Sequence, residues 1–421
     1  MEPGASASAH PAPLAATTRR LLAARFWRSI AQGTLVVDLA LYLHALGWSG
    51  TEIGAVLSGA GLVGAGFGLL VGLASDRWGR KPFLLCYEGL SCLCALTAFR
   101  TSEPLPLTLA ILLAGFGRGA NGAAGPFAPA EQAWIAETVE PSRRGFVFSM
   151  NASLGFLGMA AGALAAMLPA HWAATVGEAA GYRRLFLIVI AGNIANFVLL
   201  ARAAEQRRSR PAAAAPSVAS ESRQLRQQEN RFLWRLMALN GFNGLAIGLT
   251  GPLMSYWFAR RFHTGPALIA PVMAATFLVT AAASWASGQL AHRKGIVNVV
   301  VWGRSGGLAL LTVLPLMPVY WLAAAVHIVR SALNRGTLGA RQALVVSAVQ
   351  GDRRGLASSL NALSSQLPQS VGPVIAGSLM GAGWLVLPFY LAAVLQGTYL
   401  VLYRRLFRPV ETAMRTAPDR V

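Results

Sequence analysis

The sequence predicts an all-α membrane protein of twelve transmembrane helices, arranged as two pseudo-symmetric six-helix bundles. Composition, the number of apolar runs and an internal repeat lead there. Of 421 residues, 55% are hydrophobic and 12% charged, with mean hydropathy +0.50. Soluble domains carry about twice that charged fraction. A formal net charge of +20 would suggest a nucleic-acid partner for a soluble chain. Here the Arg residues gather at the ends of apolar runs, as insertion topology and anionic headgroups require, so the partner is a lipid bilayer and no nucleic acid is expected.

Apolar runs between charged or Pro/Gly breaks fall at 26–47, 52–75, 82–101, 106–138, 145–168, 184–202, 232–259, 266–291, 296–317, 319–349, 355–380 and 383–406, each long enough to cross or nearly cross a bilayer. Residues 1–25 are rich in Ala, Pro and Ser and read as a tail without a cleaved leader. Residues 203–231, the most polar internal stretch, read as a linker between a bundle at 26–202 and a second at 232–406, with a tail at 407–421. Arg19, Arg20, Arg25, Arg28, the Asp76 loop, Arg143, Arg144, the central segment, Arg293, Arg353, Arg354 and Arg404 all fall on one side of this scheme. The positive-inside rule makes that side, and with it both termini, cytoplasmic.

The halves repeat. Ala130-Glu131-Gln132-Ala133 returns as Ala340-Arg341-Gln342-Ala343, Arg143-Arg144-Gly145 as Arg353-Arg354-Gly355 and Asn151-Ala152 as Asn361-Ala362, all at an offset of 210 positions. Gly72, Asp76, Arg77 and Gly79 have a decayed copy in Gly288, His292, Arg293 and Gly295, 216 positions on. Parallel halves of this kind place a small-molecule site between them near the midplane.

Ionisable residues inside spans cost at least about 2.5–3.5 kcal/mol each and default to a functional reading. The first span holds Asp38, with Tyr42 one turn on; the fourth holds Arg118, followed by Asn121, Gly122, Gly125, Pro129 and Gln132. In the repeat Glu88 aligns with Arg304 and Glu131 with Arg341, acid in the first half against base in the second. Between Asn230 and Leu400 the one carboxylate is Asp352, whereas Arg304, Arg330, Arg335 and Arg341 stand within spans. Arg330, Asn334, Thr337 and Arg341 lie within about 40° of one line on a helix. Two readings follow. Either the carboxylates of the first half bind protons or a cation while the second-half Arg residues gate, or the Arg stripe binds an anion through guanidinium forks. Structural pairing is a further alternative for Glu88 with Arg304 and for Glu131 with Arg341. A carboxyl at Asp38 can exchange a proton as a cavity opens first to one side and then to the other.

Cys86, Cys92 and Cys94 share one apolar segment; Cys92 and Cys94 point to nearly opposite sides of a helix, so no metal site is expected. No H-E-x-x-H, G-x-S-x-G or P-loop pattern occurs, so neither an enzyme nor a nucleotide-driven pump is expected.

The spacing G-x-x-x-D-R-x-G-R-K, present as Gly72, Asp76, Arg77, Gly79, Arg80 and Lys81, resembles the signature loop between the second and third helices of the major facilitator superfamily. By that resemblance the Asp helps lock the outward-facing form through neighbouring helix ends, and the basic residues belong to the same relay. Arg118 with Gly122 resembles the fourth-helix Arg motif of the family's proton-coupled exporters, where the Arg is linked to proton movement. The fifth-helix exporter motif needs Gly-Pro, and here Gly155, Gly158 and Gly162 form only a small-residue ridge. The chain is thus similar to bacterial twelve-helix drug/proton antiporter-like exporters.

The resemblance implies alternating access by rocking bundles, with Asp38, Glu131 and Arg118 in proton coupling and Gly72, Asp76, Arg77, Gly79, Arg80 and Lys81 as the conformational latch. Tyr42, Asn121, Gln132, Arg330, Asn334, Arg341 and Gln342 are the expected cavity residues. The leading expectation is proton-coupled efflux of small amphipathic or toxic compounds, of the multidrug-resistance type, by a monomer in a bacterial-type inner membrane. It is driven by the proton gradient without a cofactor. The alternative is transport of an organic or inorganic anion held by Arg330 and Arg341.

Overall fold

The computed structural model of the chain describes residues 15–118, 128–140, 144–205, 221–294, 296–337 and 354–416. Regular structure among them is helical. In chain order the helices are α1 (Ala16–Ala45), α2 (Gly50–Trp78), α3 (Lys81–Arg100), α4 (Pro104–Ala114), α5 (Ala128–Thr138), α6 (Arg144–Ala165), α7 (Leu168–Val176), α8 (Glu178–Arg183) and α9 (Leu185–Arg202). The second half supplies α10 (Glu221–Thr250), α11 (Met254–Phe262), α12 (Pro266–Lys294), α13 (Ile296–Val313), α14 (Tyr320–Arg335), α15 (Arg354–Gly381) and α16 (Leu387–Thr416).

The sequence explains where these helices stop. Pro82 and Pro104 open α3 and α4, where a missing N–H costs nothing. Gly115 closes α4 in the left-handed region at φ 67°, the conformation a helix C-terminus favours. Pro252 lies in the break between Thr250 and Met254, so α10 and α11 are two pieces of one span. α4 and α5 likewise share the run read at 106–138, with residues 119–127 outside the described set. Six helical stretches, among them Gly50–Val71, Lys81–Arg100 and Pro266–Ser287, are long and apolar enough to cross a membrane by length and composition alone. α1 is not among those six, because it carries Arg19, Arg20, Arg25, Arg28 and Asp38.

Packing repeats with the sequence. In the first half α1 packs on α6 and α9, α3 on α4 and α9, and α2 on α4; in the second half α10 packs on α15 and α16, α13 on α14 and α16, and α12 on α14. The halves then exchange one helix pair each way, α2 against α15 and α6 against α12. Twelve spans in two bundles follow, with apolar core clusters in both halves.

Glycine makes the closest of these contacts possible. A Cβ on Gly54 would lie 2.3 Å from the Pro373 carbonyl oxygen, and one on Gly377 would lie 2.2 Å from that of Gly50. The ridge of Gly158 and Gly162 seats α6 on the Phe26 and Ile30 carbonyls of α1 at 2.5 and 2.0 Å from the missing Cβ atoms. Between helices in lipid such backbone approach replaces the hydrophobic effect as the source of association. The α2–α15 contacts run from Gly50 and Gly381 down to Gly61 and Ser370, with the Val374 amide donating to Ser58 Oγ at 2.9 Å. His44 and Tyr256 meet edge to face at 5.3 Å across the two halves. This closure lies on the side remote from the described chain ends, called the far side below; the opposite face is the tail side.

Gly377→Val therefore parts α2 from α15 on the far side. In a background lacking Cys86, Cys92 and Cys94, double electron–electron resonance between labels at Thr51 and Ala382 is expected to shift to longer distance, whereas Gly89→Val, at an exposed α3 position with nothing near its Cβ, leaves it unchanged. An unshifted Gly377→Val distance shows that the contact does not hold the far side shut.

Candidate functional site

Arg25 and Arg28 look like loop-side charges in sequence, but α1 starts at Ala16 and carries both into the protein at 2% and 5% exposure. Arg28 Nε donates to Glu88 Oε1 of α3 at 3.0 Å, and its Nη1 donates to Glu131 Oε2 of α5. One guanidinium thus ties three helices on the tail side of the first bundle. Arg25 lies over Gly155 of α6, where a Cβ would come within 2.7 Å of Nη2. Two Arg and two Glu give a cluster without net formal charge, which is what burial at membrane depth demands.

Beside it is a cavity with about 500 Å³ of non-atom space, open solvent included, bordered by Arg28, Gln32, Tyr87, Glu88, Arg118 and Asn193. Arg118 reaches it from the end of α4, past Gly115 and Gly117, both at positive φ. Its Nη1 donates to the Ala60 carbonyl at 3.2 Å and occupies the space beside Gly64, where a Cβ would lie 1.5 Å away. Tyr87 Oη donates to the Ala114 carbonyl at 2.8 Å and steadies the same corner.

Asp38 lies further along α1 and is 1% exposed; neither carboxylate oxygen has a hydrogen-bond partner among the described residues. It forms no ion pair with Arg118 there. Tyr42 packs its ring on Tyr182 and Phe186, with its hydroxyl 3.3 Å from Ser102 Oγ, between α1, α8 and α9.

The second bundle answers its charges differently. Arg304 Nη1 donates to Asn243 Oδ1 at 2.6 Å and lies over the Tyr399 ring at 4.7 Å. Glu88 and Arg304, aligned by the repeat, are therefore each satisfied inside their own half, by Arg28 and by Asn243. Arg330 is 5% exposed and reaches Thr250 Oγ1 at 3.4 Å. Neither it nor Arg335 has a carboxylate partner among the described residues. Asn334 Nδ2 lies 3.5 Å from Gln396 Oε1.

At the signature loop Gly79 turns at φ 88°. The backbone amides of Arg80 and Lys81 donate to the Glu205 carboxylate at 2.6 and 3.1 Å, and Lys81 Nζ donates to the Ala201 and Ala203 carbonyls. Arg80 Nη1 pairs with Glu137 Oε2 at 2.6 Å. The loop is thus strapped to the ends of α5 and α9. Gly72 lies in α2, whereas the side chains of Asp76 and Arg77 lie outside the described residues, as do Asn121, Arg341 and Gln342. Gln132 is exposed.

Sequence reasoning missed Arg25, Arg28, Glu137 and Glu205. The first two had a signal: buried Leu21 stands four and seven positions before them, at the spacing of one helix face. Glu205 stands in a polar stretch where nothing distinguishes a carboxylate that binds two amides from a solvated one.

The architecture and these sites can be set against known proteins. The sequence profile of the Major Facilitator Superfamily matches residues 21–333 and 236–420. No curated protein matches the chain. Among solved structures, a D-xylose-proton symporter superposes with TM-score 0.70 at 13% identity, covering 92% of this chain and 96% of its own. A bacterial homolog of the human lysosomal transporter Spinster, in an inward-facing and occupied conformation, gives 0.69 at 15% identity over 93% and 96%. A mutant of the nucleoside transporter NupG gives 0.69 at 14% identity over 93% and 100%. These likenesses show the fold. With a twelve-span helical architecture and a family profile over nearly its whole length, the chain belongs to the Major Facilitator Superfamily and is a multi-pass membrane transporter of small molecules, not an enzyme.

Proposed function

We propose that the protein is a proton-coupled exporter of small amphipathic compounds. It works as a monomer in a bacterial-type cytoplasmic membrane with both tails on the cytoplasmic side. The observation that carries the reading is Asp38, a carboxyl group inside the first span at 1% exposure with no hydrogen-bond partner among the described residues. A group so placed is costly unless it exchanges a proton or a ligand. The orientation rests on the Arg-rich tail side and the positive-inside rule.

In this mechanism Asp38 takes a proton when the cavity opens to the far side and gives it up when the cavity opens to the tail side. The proton moves inward and the substrate outward in opposite half-cycles, so proton entry drives substrate exit. Glu131 joins the relay by exchanging Arg28 for a proton as α1 and α5 shift. Arg118, fixed by Gly64 and the Ala60 carbonyl, biases the first-half cavity. The signature loop latches the tail side, with Glu205 and Glu137 holding its basic residues in place.

In proteoliposomes with an imposed pH gradient, Asp38→Asn is expected to reduce gradient-driven flux to background while substrate exchange at equal pH persists. Retained gradient-driven flux in Asp38→Asn rules the coupling role out. Gly64→Ala displaces the Arg118 guanidinium, so its flux is expected to fall to the level of Arg118→Ala. Gly66→Ala, with nothing within 4 Å of its Cβ position, is expected to match the unaltered protein. Arg28→Met removes the guanidinium that both Glu88 and Glu131 contact and leaves the buried cluster one positive charge short, and thermal unfolding in detergent is expected to show a loss of about 3–5 kcal/mol.

A further inference from the structure

The second bundle contains a buried cation with no carboxylate partner among the described residues. Arg330 lies inside α14 at 5% exposure, and no carboxylate approaches it among the described residues. Its bundle is short of acid: from residue 231 to residue 400 the only carboxylate in the sequence is Asp352, 22 positions beyond Arg330. Of the other buried arginines, Arg28 is met by two glutamates, Arg25 lies in the same charge-balanced cluster, and Arg304 is met by an amide oxygen and a tyrosine face.

The side chains that meet Arg330 are polar and uncharged. Thr250 Oγ1 accepts from its Nη2 at 3.4 Å and donates to the Ala246 carbonyl. One turn along α14, Asn334 sits beside Gln396, whose Nε2 is buried without a partner among the described residues. One turn before Arg330, His327 is buried and meets Phe258 edge to face at 5.8 Å, and Phe258 in turn meets Tyr320 at 5.6 Å. Thr250 is the last residue of α10 before the Gly251-Pro252 break, and interrupted spans are where transporters of this architecture place ligands.

We infer that Arg330, with Thr250, Asn334 and Gln396, receives the acidic group of the substrate, so that the transported compound is an amphipathic organic anion bearing a carboxylate. The planar fork of the Arg330 guanidinium matches a carboxylate in two parallel hydrogen bonds. The aromatic edge of Phe258 and Tyr320 suits the apolar body of such a molecule. The inference deepens the export reading by naming its substrate class, and it takes only the driving force from that reading.

The test uses the full chain in phosphatidylcholine proteoliposomes, which removes anionic lipid headgroups as competitors. The probes are phenylbutyrate and a set of aryl and alkyl acids, each beside its amide and its amine. Binding is read as thermal protection and transport as flux. The unaltered protein is expected to prefer each acid over its amide and amine. Arg330→Gln is expected to weaken acid binding about thirtyfold or more while leaving any amide binding unchanged; Arg330→Lys keeps the charge without the fork and is expected to fall between. No preference for acids across the set, or the same preference in both Arg330 variants, overturns the inference. Should Arg330→Gln fail to fold, Arg330→Lys still decides. Asp38→Asn run alongside separates the two claims. Acid preference with unchanged gradient-driven flux in Asp38→Asn sinks proton coupling through Asp38 and keeps the Arg330 site. Loss of gradient-driven flux in Asp38→Asn without any acid preference does the reverse.

Discussion

Charge placed inside a bilayer must be neutralised where it stands, and Arg28 shows how this chain meets that constraint. Its guanidinium holds Glu88 of α3 and Glu131 of α5 at once. Without it both carboxylates would face a low-dielectric interior unpaired, and without them α1 could not carry an Arg at that depth. The same interaction fixes the angular setting of α1, which brings Arg25 over Gly155 and Gly33 onto the Met159 carbonyl. The glycines of α6 and the charges of α1 therefore constrain one another. A side chain at Gly155 would strike the Arg25 guanidinium, while the Gly158 and Gly162 contacts depend on a rotation of α1 that the Arg28 pairs maintain.

The two halves share this scheme with the signs altered. Arg28 and Glu88 stand 60 positions apart in sequence, and Asn243 and Arg304 stand 61 apart in the corresponding helices. Where the first half pairs a base on its first helix with an acid on its third, the second pairs an amide with a base. The helix contacts correspond throughout, so duplication of the fold does not require duplication of its electrostatics. What is conserved between halves is that a buried polar group on one helix meets another on its neighbour. Which group bears the charge is free to change, and that freedom lets one bundle concentrate acid and the other base.

Most of the fold was legible because the bilayer imposes a simple rule on sequence. Long apolar runs, Arg-marked ends and offsets of 210 and 216 positions are enough to give twelve helices in two bundles, whereas the close contact of the Gly158 and Gly162 ridge with α1 appears only in the packing. The site was less legible. Asp38 stands out in sequence as an isolated charge in an apolar run, and Arg330 as the first of a stripe of arginines in one, which needs no knowledge of neighbours. Arg28 does not stand out, because its meaning lies in Glu88 and Glu131, distant in sequence and brought together only by packing. The alignment of Glu88 with Arg304 reported correspondence between halves, not contact, and each residue has its partner at home.

That distinction bears on how such a transporter could couple its two ligands. A charge pair confined to one bundle, such as Arg28 with Glu88, stays intact as the bundles rock as rigid bodies, so it stabilises every state equally and biases none. A group with no countercharge in its own bundle is different: its solvation and its ligands change with the side to which the cavity opens. Asp38 in the first bundle and Arg330 in the second are buried charges of that kind among those described. The contacts between α2 and α15 that join the bundles run through glycines and backbone. They can separate and re-form without stranding a charge in lipid, which leaves the energetic difference between the two openings to what binds at the unpaired charges.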